Sequence, residues 1–448
     1  MATTYLTRTP SSTGNRILWT WSAWIKKAIP DGSDVGVFGV YQDGNNYFRI
    51  RYRSDQRLQV DNYNSGSATM SIILGVEHRD TSGWYHLVIA YDSAQGTASN
   101  RVKIYVNNVL QTVFQSETYP SVNVITELPS SGLPIEIGRT TNSQYFDGYM
   151  NNVAFVDGTA LTPSNFGETD SASGIWKFKT PSGVTWGTNG FHLKMDNSAN
   201  LGLDSSGETN NFTLSGNGRQ AKDTPTNVYA TLNPLDNYYS ASTFANGNTS
   251  QTTVASNYAG VASTLGMTSG KFYAECKQTG FSGSSNYNLI GITSSQNTST
   301  TSFLGGLTGS ASYYAQGEIY NGNGTNIGSM PTYTTNDIIG VVIDLDNNFI
   351  YWHKNGVYIN SGNPTSGSSG TGGLALTASS STSLGAYFFG SGDYGTSLVV
   401  NNSWNFGNGY FGTTAITSAG SNGNGSLFEY DVPSGYYALN TKNINTYG

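Results

Sequence analysis

The residues able to do chemistry are few. Four histidines occur, His78, His86, His192 and His353, and none stands in a His-x-x-x-His or Glu-x-x-His spacing. The single cysteine, Cys276, cannot build a zinc cluster, and no Gly-x-Ser-x-Gly elbow presents an activated serine. His86 and His353 alternate within strand-like runs, where a satisfied sheet histidine is the plainer explanation. Carboxylate pairs are the remaining route. A retaining glycosidase needs two carboxyl groups about 5 Å apart, which alternate positions of one strand supply. Glu168-Thr-Asp170 and Glu429-Tyr-Asp431 begin a Glu-x-Asp-x-x-Glu pattern, but Ser173 and Ser434 stand where its last carboxylate belongs. The chain is expected not to be an enzyme.

Binding chemistry is better represented. Asp196, Asn200 and Asp204 place oxygen ligands close together, a candidate calcium site, although Leu201 replaces the loop glycine and no glutamate sits at position twelve. Turn formation explains this run equally well, and no other cofactor is expected. Tyr47, Tyr63, Tyr145, Tyr313 and Tyr314 stand in loops rich in Asn and Gln. Their rings could stack on sugar faces while the amides bind hydroxyls, which makes them candidate glycan-binding residues. Tyrosine is also an ordinary strand-end and interface residue, so both explanations stay open.

The elements that must position these groups are strands. Ile17, Trp19, Trp21, Ala23 and Ile25 alternate over nine residues, a period-two signal. Further runs cover 35–41, 47–52, 57–63, 84–91, 135–138 and 148–157. Arg101–Val106 turns through Asn107-Asn108 into 109–114, a hairpin. In the second half, 271–277 alternates, 288–293 is a short apolar run, and 337–345 is continuously apolar, as in a strand covered on both faces. Asn355-Gly356 closes another hairpin after 349–354. This predicts an all-β protein of two antiparallel β-sandwich (jelly-roll) domains. The first spans 1–162 and the second 238–412. A turn-rich but ordered connector, 163–237, joins them, and a short β segment, 413–448, ends the chain. Trp21 and Trp84 are expected to face the first core, and Ile339, Val341 and Ile343 the second.

Composition narrows the function classes. Charged residues make up 11% of the 448, against roughly 25% in an average soluble domain. Aromatics at 13% argue against disorder despite 55 glycines. A net charge of −7 with no basic cluster argues against nucleic-acid binding, and no apolar stretch approaches the ~20 residues that span a membrane. One cysteine excludes an intramolecular disulfide, and no charged segment followed by an apolar run opens the chain. A neutral, turn-rich surface made in a cytosol fits a virion protein assembled in the host cytoplasm.

Several phrases resemble known families. Trp21-Ser-Ala-Trp24-Ile25, Gly83-Trp84-Tyr85-His86-Leu87-Val88, Lys103-Ile-Tyr105-Val-Asn107 and Phe146-Asp147-Gly148-Tyr-Met-Asn151 resemble the laminin-G-like or concanavalin-A-like jelly roll. Gly270-Lys-Phe-Tyr-Ala-Glu275, Asn288-Leu-Ile-Gly-Ile292, the run 337–344, Lys354-Asn-Gly356 and Asn405-Phe-Gly407 resemble, in order, a SPRY domain. The first family implies glycan or protein binding, with calcium in some members. The second implies recognition through loops at one end of a sandwich. The whole arrangement is similar to structural proteins of marine bacteriophages, which implies a tail-fibre, appendage or head-decoration component. A secreted lectin-like adhesin and a polysaccharide-degrading enzyme are the alternatives. Partners implied are other virion proteins, a host surface glycan and further copies of the chain, a trimer among the symmetric multimers. Contact surfaces for assembly are expected from Trp176, Trp186 and Phe191 in the connector, and from Phe411, Phe428, Tyr430, Tyr436 and Tyr437 near the C-terminus. The competing explanation is that both segments pack back on their own domains.

Overall fold

The structure is a computed structural model that describes residues 3–28, 32–237, 241–255, 258–296, 298, 301–322, 326–395 and 397–448. Strands dominate, and α-helix among the described residues is limited to Ala98–Arg101 and Thr441–Tyr447. The chain divides into two compact units, Met1–Gln220 and Ala221–Gly448. The expected start of the second sandwich, at 238, lies outside the described residues.

The first unit is an antiparallel sandwich. An eight-stranded sheet runs in the order Phe114–Thr118, Ser67–Glu77, Arg57–Asn64, Asn46–Tyr52, Val35–Asp43, Ile135–Ile137, Tyr5–Arg8 and Thr213–Ser215. A six-stranded sheet runs Phe191–Leu193, Gly148–Asp157, Leu18–Lys27, Tyr85–Asp92, Val102–Val106 and Val109–Leu110. Trp19, Trp21, Ala23 and Ile25 enter the shared core with Phe38, Ile50, Val60 and Leu74, as their alternation predicts. Asn107 and Asn108 take φ of 47° and 69°, the positive values that a two-residue hairpin turn demands. The run after them splits, however. Val109–Leu110 closes the hairpin, while Phe114–Thr118 joins the other sheet.

Trp84 departs from expectation. Leu87, Ile89 and Tyr91 face the core, so the alternate set beginning at Trp84 faces away from it. Trp84 is buried all the same, beside Tyr149 at 6.4 Å. Alternation does not reveal the inner face of a strand when both faces are covered. The cover comes from the connector. Phe166 packs on Val88, Ala154 and Val156, and the Trp176 ring stacks 5.9 Å from His86. Phe191 and Phe212 enter the main core, and Trp186 stacks on His192. Connector residues up to 220 are therefore part of the first unit, and their aromatics are occupied within it.

The second unit repeats this plan. One sheet centres on Lys271–Phe281, flanked by Ile338–Asp344 and Val400–Asn405. The other runs Gly260–Ala262, Phe388–Asp393, Asn288–Thr293, Ser310–Tyr314, Glu318–Asn321 and Asn326–Ile327. Ile339, Val341 and Ile343 face the core between them, as expected. Two indoles tie the layers: Trp352 Nε1 donates to the Ile290 carbonyl (3.1 Å) and Trp404 Nε1 to Ser391 Oγ (2.9 Å). The opposite face of Ile338–Asp344 is buried too. Val342, with Tyr273 and Tyr351, lies under Phe428, Val432 and Tyr436. Three of the five expected assembly residues near the C-terminus are thus spent internally. Phe411, Phe428 and Tyr436 are buried in their own unit, whereas Tyr430 and Tyr437 keep partial exposure. Tyr437 pairs in parallel with Phe272 and stacks on Tyr447 at 3.7 Å.

Glu275 holds that C-terminal segment down. Its carboxylate accepts from the backbone N–H of Glu429 (2.9 Å) and Tyr430 (2.8 Å), from Tyr273 Oη (2.9 Å) and from Asn405 Nδ2 (3.3 Å). Burial nevertheless lifts its pKa to about 7, against those four donors. Burial likewise lifts Asp393 to about 7 and Asp236 to about 6. A carboxyl raised in the folded state contributes stability that is complete below its unfolded value near 4 and lost as pH rises toward 7. The urea midpoint of the second unit is therefore expected to carry a falling component between pH 4 and 7. Glu275→Gln should remove part of that slope. An identical pH profile for the variant would contradict the assignment.

Candidate functional site

The outer face of the eight-stranded sheet gathers a row of paired polar and aromatic side chains. Phe48, Ile50 and Tyr52 point into the core, so Tyr47, Arg49 and Arg51 point out. On the next strand Leu58 and Val60 point in, leaving Gln59, Asp61 and Tyr63 outward. The register sets these sets face to face: Tyr47 with Tyr63, Arg49 with Asp61, Arg51 with Gln59. Arg49 grips Asp61 through Nε (2.9 Å) and Nη2 (2.9 Å). Arg51 donates to Gln59 Oε1 from Nη2 (2.9 Å) and pairs with Asp34 through Nη1. The Tyr47 and Tyr63 rings stack at 4.7 Å, and the Arg49 guanidinium lies 4.7 Å over Tyr47. The same row continues through Gly39 to Glu136 and Thr7 on one side and to Ser71 on the other.

A small hairpin, Arg139–Thr140 paired with Gln144–Tyr145, walls this face. It can lie flat because Gly36 has no side chain; a Cβ there would collide with Thr140 Oγ1 and with the backbone of Thr140 and Gln144. Arg139 stacks over Tyr5 at 3.6 Å, approaches Tyr145 at 5.8 Å and pairs with Glu136. Arg49, Arg51 and Arg139 balance Asp34, Asp61 and Glu136, so the face is close to neutral. Burial pushes the Asp61 carboxyl up, opposed by the Arg49 fork. Burial and the Asp61 charge raise Tyr47 to about 12, so its phenol stays protonated.

The five predicted tyrosines separate. Tyr47, Tyr63 and Tyr145 share this face. Tyr313 does not reach a surface: it is fully buried in the second core, and its hydroxyl donates to the Pro331 carbonyl. Paired Tyr residues on one strand point to opposite faces, and Tyr313 takes the inner one. Tyr314 takes the outer one and joins a separate ring cluster. The calcium candidate also fails at Asp204. That carboxylate already accepts from the N–H of His192, Ser206 and Asn210 and from Ser206 Oγ. It anchors a turn, with four donors already on its two oxygens. Among the described residues no cluster of three His, Cys, Asp or Glu side chains could hold a metal. Arg49, Asp61, Arg51, Gln59 and Asp34 escape a motif search. Their signal is the polar alternation 49-51-53 beside 59-61, which marks an outer face but not its pairing.

Both carboxylate pairs are engaged in turns and loops. Asp170 caps a turn, accepting from the N–H of Ala172 and Ser173, and it pairs with Lys177. Glu429 and Asp431 accept from the N–H of Thr417 and Ser421 and fasten loops. Ser22 and His86 resemble a nucleophile and its base, with Ser22 Oγ 2.9 Å from Nε2. The proton runs the wrong way. Trp176 Nε1, which can only donate, binds His86 Nδ1 (3.0 Å). A neutral ring must then carry its proton on Nε2 and donate to Ser22. His353 is held the same way. The Gly356 N–H binds its Nδ1, and Nε2 lies 2.8 Å from Tyr273 Oη.

Residues 2–165 match the laminin-G-type family described as the concanavalin A-like lectin/glucanases superfamily. Curated proteins include no sequence match to the chain. The SPRY domain of human HERC1 is 14% identical with a TM-score of 0.30, covering 39% of this chain and 96% of its own. A heptameric SAP-like pentraxin from Limulus polyphemus is 17% identical with a TM-score of 0.27, covering 36% and 72%. A Bacteroides ovatus protein described provisionally as carbohydrate binding is 17% identical with a TM-score of 0.33, covering 48% of this chain and 56% of its own.

The matched family holds binders and hydrolases alike, so the protonation of the one serine–histidine contact matters. Burial depresses His86 and His353 to about 3. Nitrogen-15 NMR is expected to find both rings neutral and protonated on Nε2 down to pH 5. A His86 ring protonated on Nδ1, leaving Nε2 free to accept from Ser22, would reopen catalysis.

Proposed function

We propose that this chain is a non-enzymatic recognition protein that binds a surface glycan on the outer face of its eight-stranded sheet, and that it serves as a structural component of a bacteriophage particle. The observation that carries the binding half is the locked ladder of Arg49–Asp61 and Arg51–Gln59 between the stacked Tyr47–Tyr63 pair and the Arg139–Tyr145 hairpin. Donors and acceptors there are fixed before any ligand arrives, so little side-chain freedom is lost on binding. Tyrosine edges and a guanidinium plane suit a sugar ring with several hydroxyls. The virion half draws on the charge-poor composition, on the single cysteine, which is buried, and on the resemblance described above. Other copies of the chain and other particle proteins remain the proposed partners.

A glycan array on the full chain, followed by calorimetry on any hit, tests the binding half. Tyr63→Ala is expected to weaken binding by about 1 kcal/mol through the lost stacking. Arg51→Ala should cost about 1–2 kcal/mol through lost hydrogen bonds. The bound glycan is expected to be recovered intact, with no new reducing ends. An empty array, or hits indifferent to both substitutions, refutes the site. Peptide mass spectrometry of purified particles tests the virion half, and absence of the chain from them refutes it.

A further inference from the structure

The second unit carries an aromatic surface that the polar ladder does not involve. It lies on the outer face of the six-stranded sheet, where Leu289, Tyr314 and Tyr320 point away from the core residues Ile290, Tyr313 and Ile319. Leu289 and Tyr314 are cross-strand partners. Tyr394, just beyond Phe388–Asp393, is the hub. Around its ring lie Phe303 at 4.3 Å, Tyr314 and Tyr320 each at 5.7 Å, Tyr258 at 5.9 Å and Tyr287 at 6.3 Å. Most contacts are edge-to-face, the geometry that locks rings against one another. Tyr258, Tyr287, Phe303 and Tyr394 all keep part of their surface open.

Packing alone does not account for the choice of residue. Five of these six rings are tyrosine, where phenylalanine would fill the same volume with no hydroxyl to satisfy. Tyr320 uses its hydroxyl internally, donating to Glu318 (2.9 Å). Among the described residues the hydroxyls of Tyr258, Tyr287, Tyr314 and Tyr394 take no protein partner, and none is a sealed polar atom. Tyr258, Tyr287 and Tyr394 are partly exposed and present theirs at the surface, whereas Tyr314 is buried beneath them. The result is a rigid platform of ring faces and edges, rimmed by phenolic hydroxyls and one carboxylate.

We propose that this platform is a second binding site, separate from the polar ladder, and that its ligand is a neutral glycan. Apolar C–H faces of a pyranose fit the rings, and its hydroxyls fit the tyrosine hydroxyls and Glu318. Charge decides against acidic sugars. The chain holds no lysine or arginine from Gln278 to His353, nor from Asn355 to Thr441, so a uronate or sialate would meet Glu318 with no counter-charge.

Calorimetry of the full chain with glucose and galactose hexasaccharides, and with an oligogalacturonate as the acidic control, tests this. A neutral oligomer is expected to bind and the oligogalacturonate not to. Tyr258→Ala, at the periphery, and Tyr394→Phe, which keeps the ring, should each weaken binding about fivefold with an unchanged thermal midpoint. Tyr63→Ala and Arg51→Ala should leave this binding intact. No neutral binding, preference for the uronate, or indifference to both tyrosine variants overturns the site. Binding lost only in Tyr63→Ala overturns it while sparing the ladder in the first unit.

Discussion

Every residue of Ile338–Asp344 is buried, and nearly every residue of Leu18–Lys27 is too. A two-layer sandwich covers only the inner face of such strands. The outer apolar faces would otherwise stay in water, at a cost of about 25 cal/mol per Å² of apolar surface. Both units meet this constraint with chain from outside the sandwich. In the first, Phe166, Trp176 and Trp186 come from the segment after the last long strand. In the second, Phe428, Val432 and Tyr436 come from the C-terminal segment. The aromatic, charge-poor character that makes these segments look like intermolecular contact surfaces is what an internal third layer also requires.

Each third layer is fastened at a buried histidine. Trp176 donates to His86 in the first unit. In the second, His353 donates to Tyr273, Tyr273 donates to Glu275, and Glu275 accepts the backbone of 429–430. A neutral imidazole suits this task because it offers one donor and one acceptor at fixed positions. The same requirement removes these rings from acid–base chemistry. Protonation would need a second acceptor where Trp176 and the Gly356 N–H present donors.

The inner faces were legible in the sequence because alternation of large apolar residues is a local signal. Trp19, Trp21, Val341 and Ile343 sit where period two places them. The choice of face failed at Trp84, where both alternate sets are apolar. Tyr313 and Tyr314 failed similarly, since adjacent identical residues carry no information about which one points inward. The polar ladder was hidden for another reason. Arg49 and Asp61 are twelve residues apart, and only the register of the hairpin between them makes them partners. Asp34 and Gln144 join from still farther away. Turn aspartates such as Asp204 imitate metal ligands because the same lone pairs serve either purpose.

The two candidate surfaces differ in what fixes them, and this bears on how strongly either can bind. Arg49, Arg51 and Asp61 are held by charged hydrogen bonds that would compete with a ligand for the same donors, so each new contact displaces part of an old one. The Tyr394 platform is held by ring packing, which leaves the hydroxyls of Tyr258, Tyr287 and Tyr394 uncommitted. Its gain on binding is limited by small contact area rather than by competition. Both limits point to modest affinity per site. Recognition of a repetitive glycan surface by such sites gains strength when several are presented together, because the second contact forms at the effective concentration set by the first. Under the proposed function, two separate sugar-compatible faces displayed in several copies on one particle would turn weak individual contacts into durable attachment while leaving each contact free to exchange.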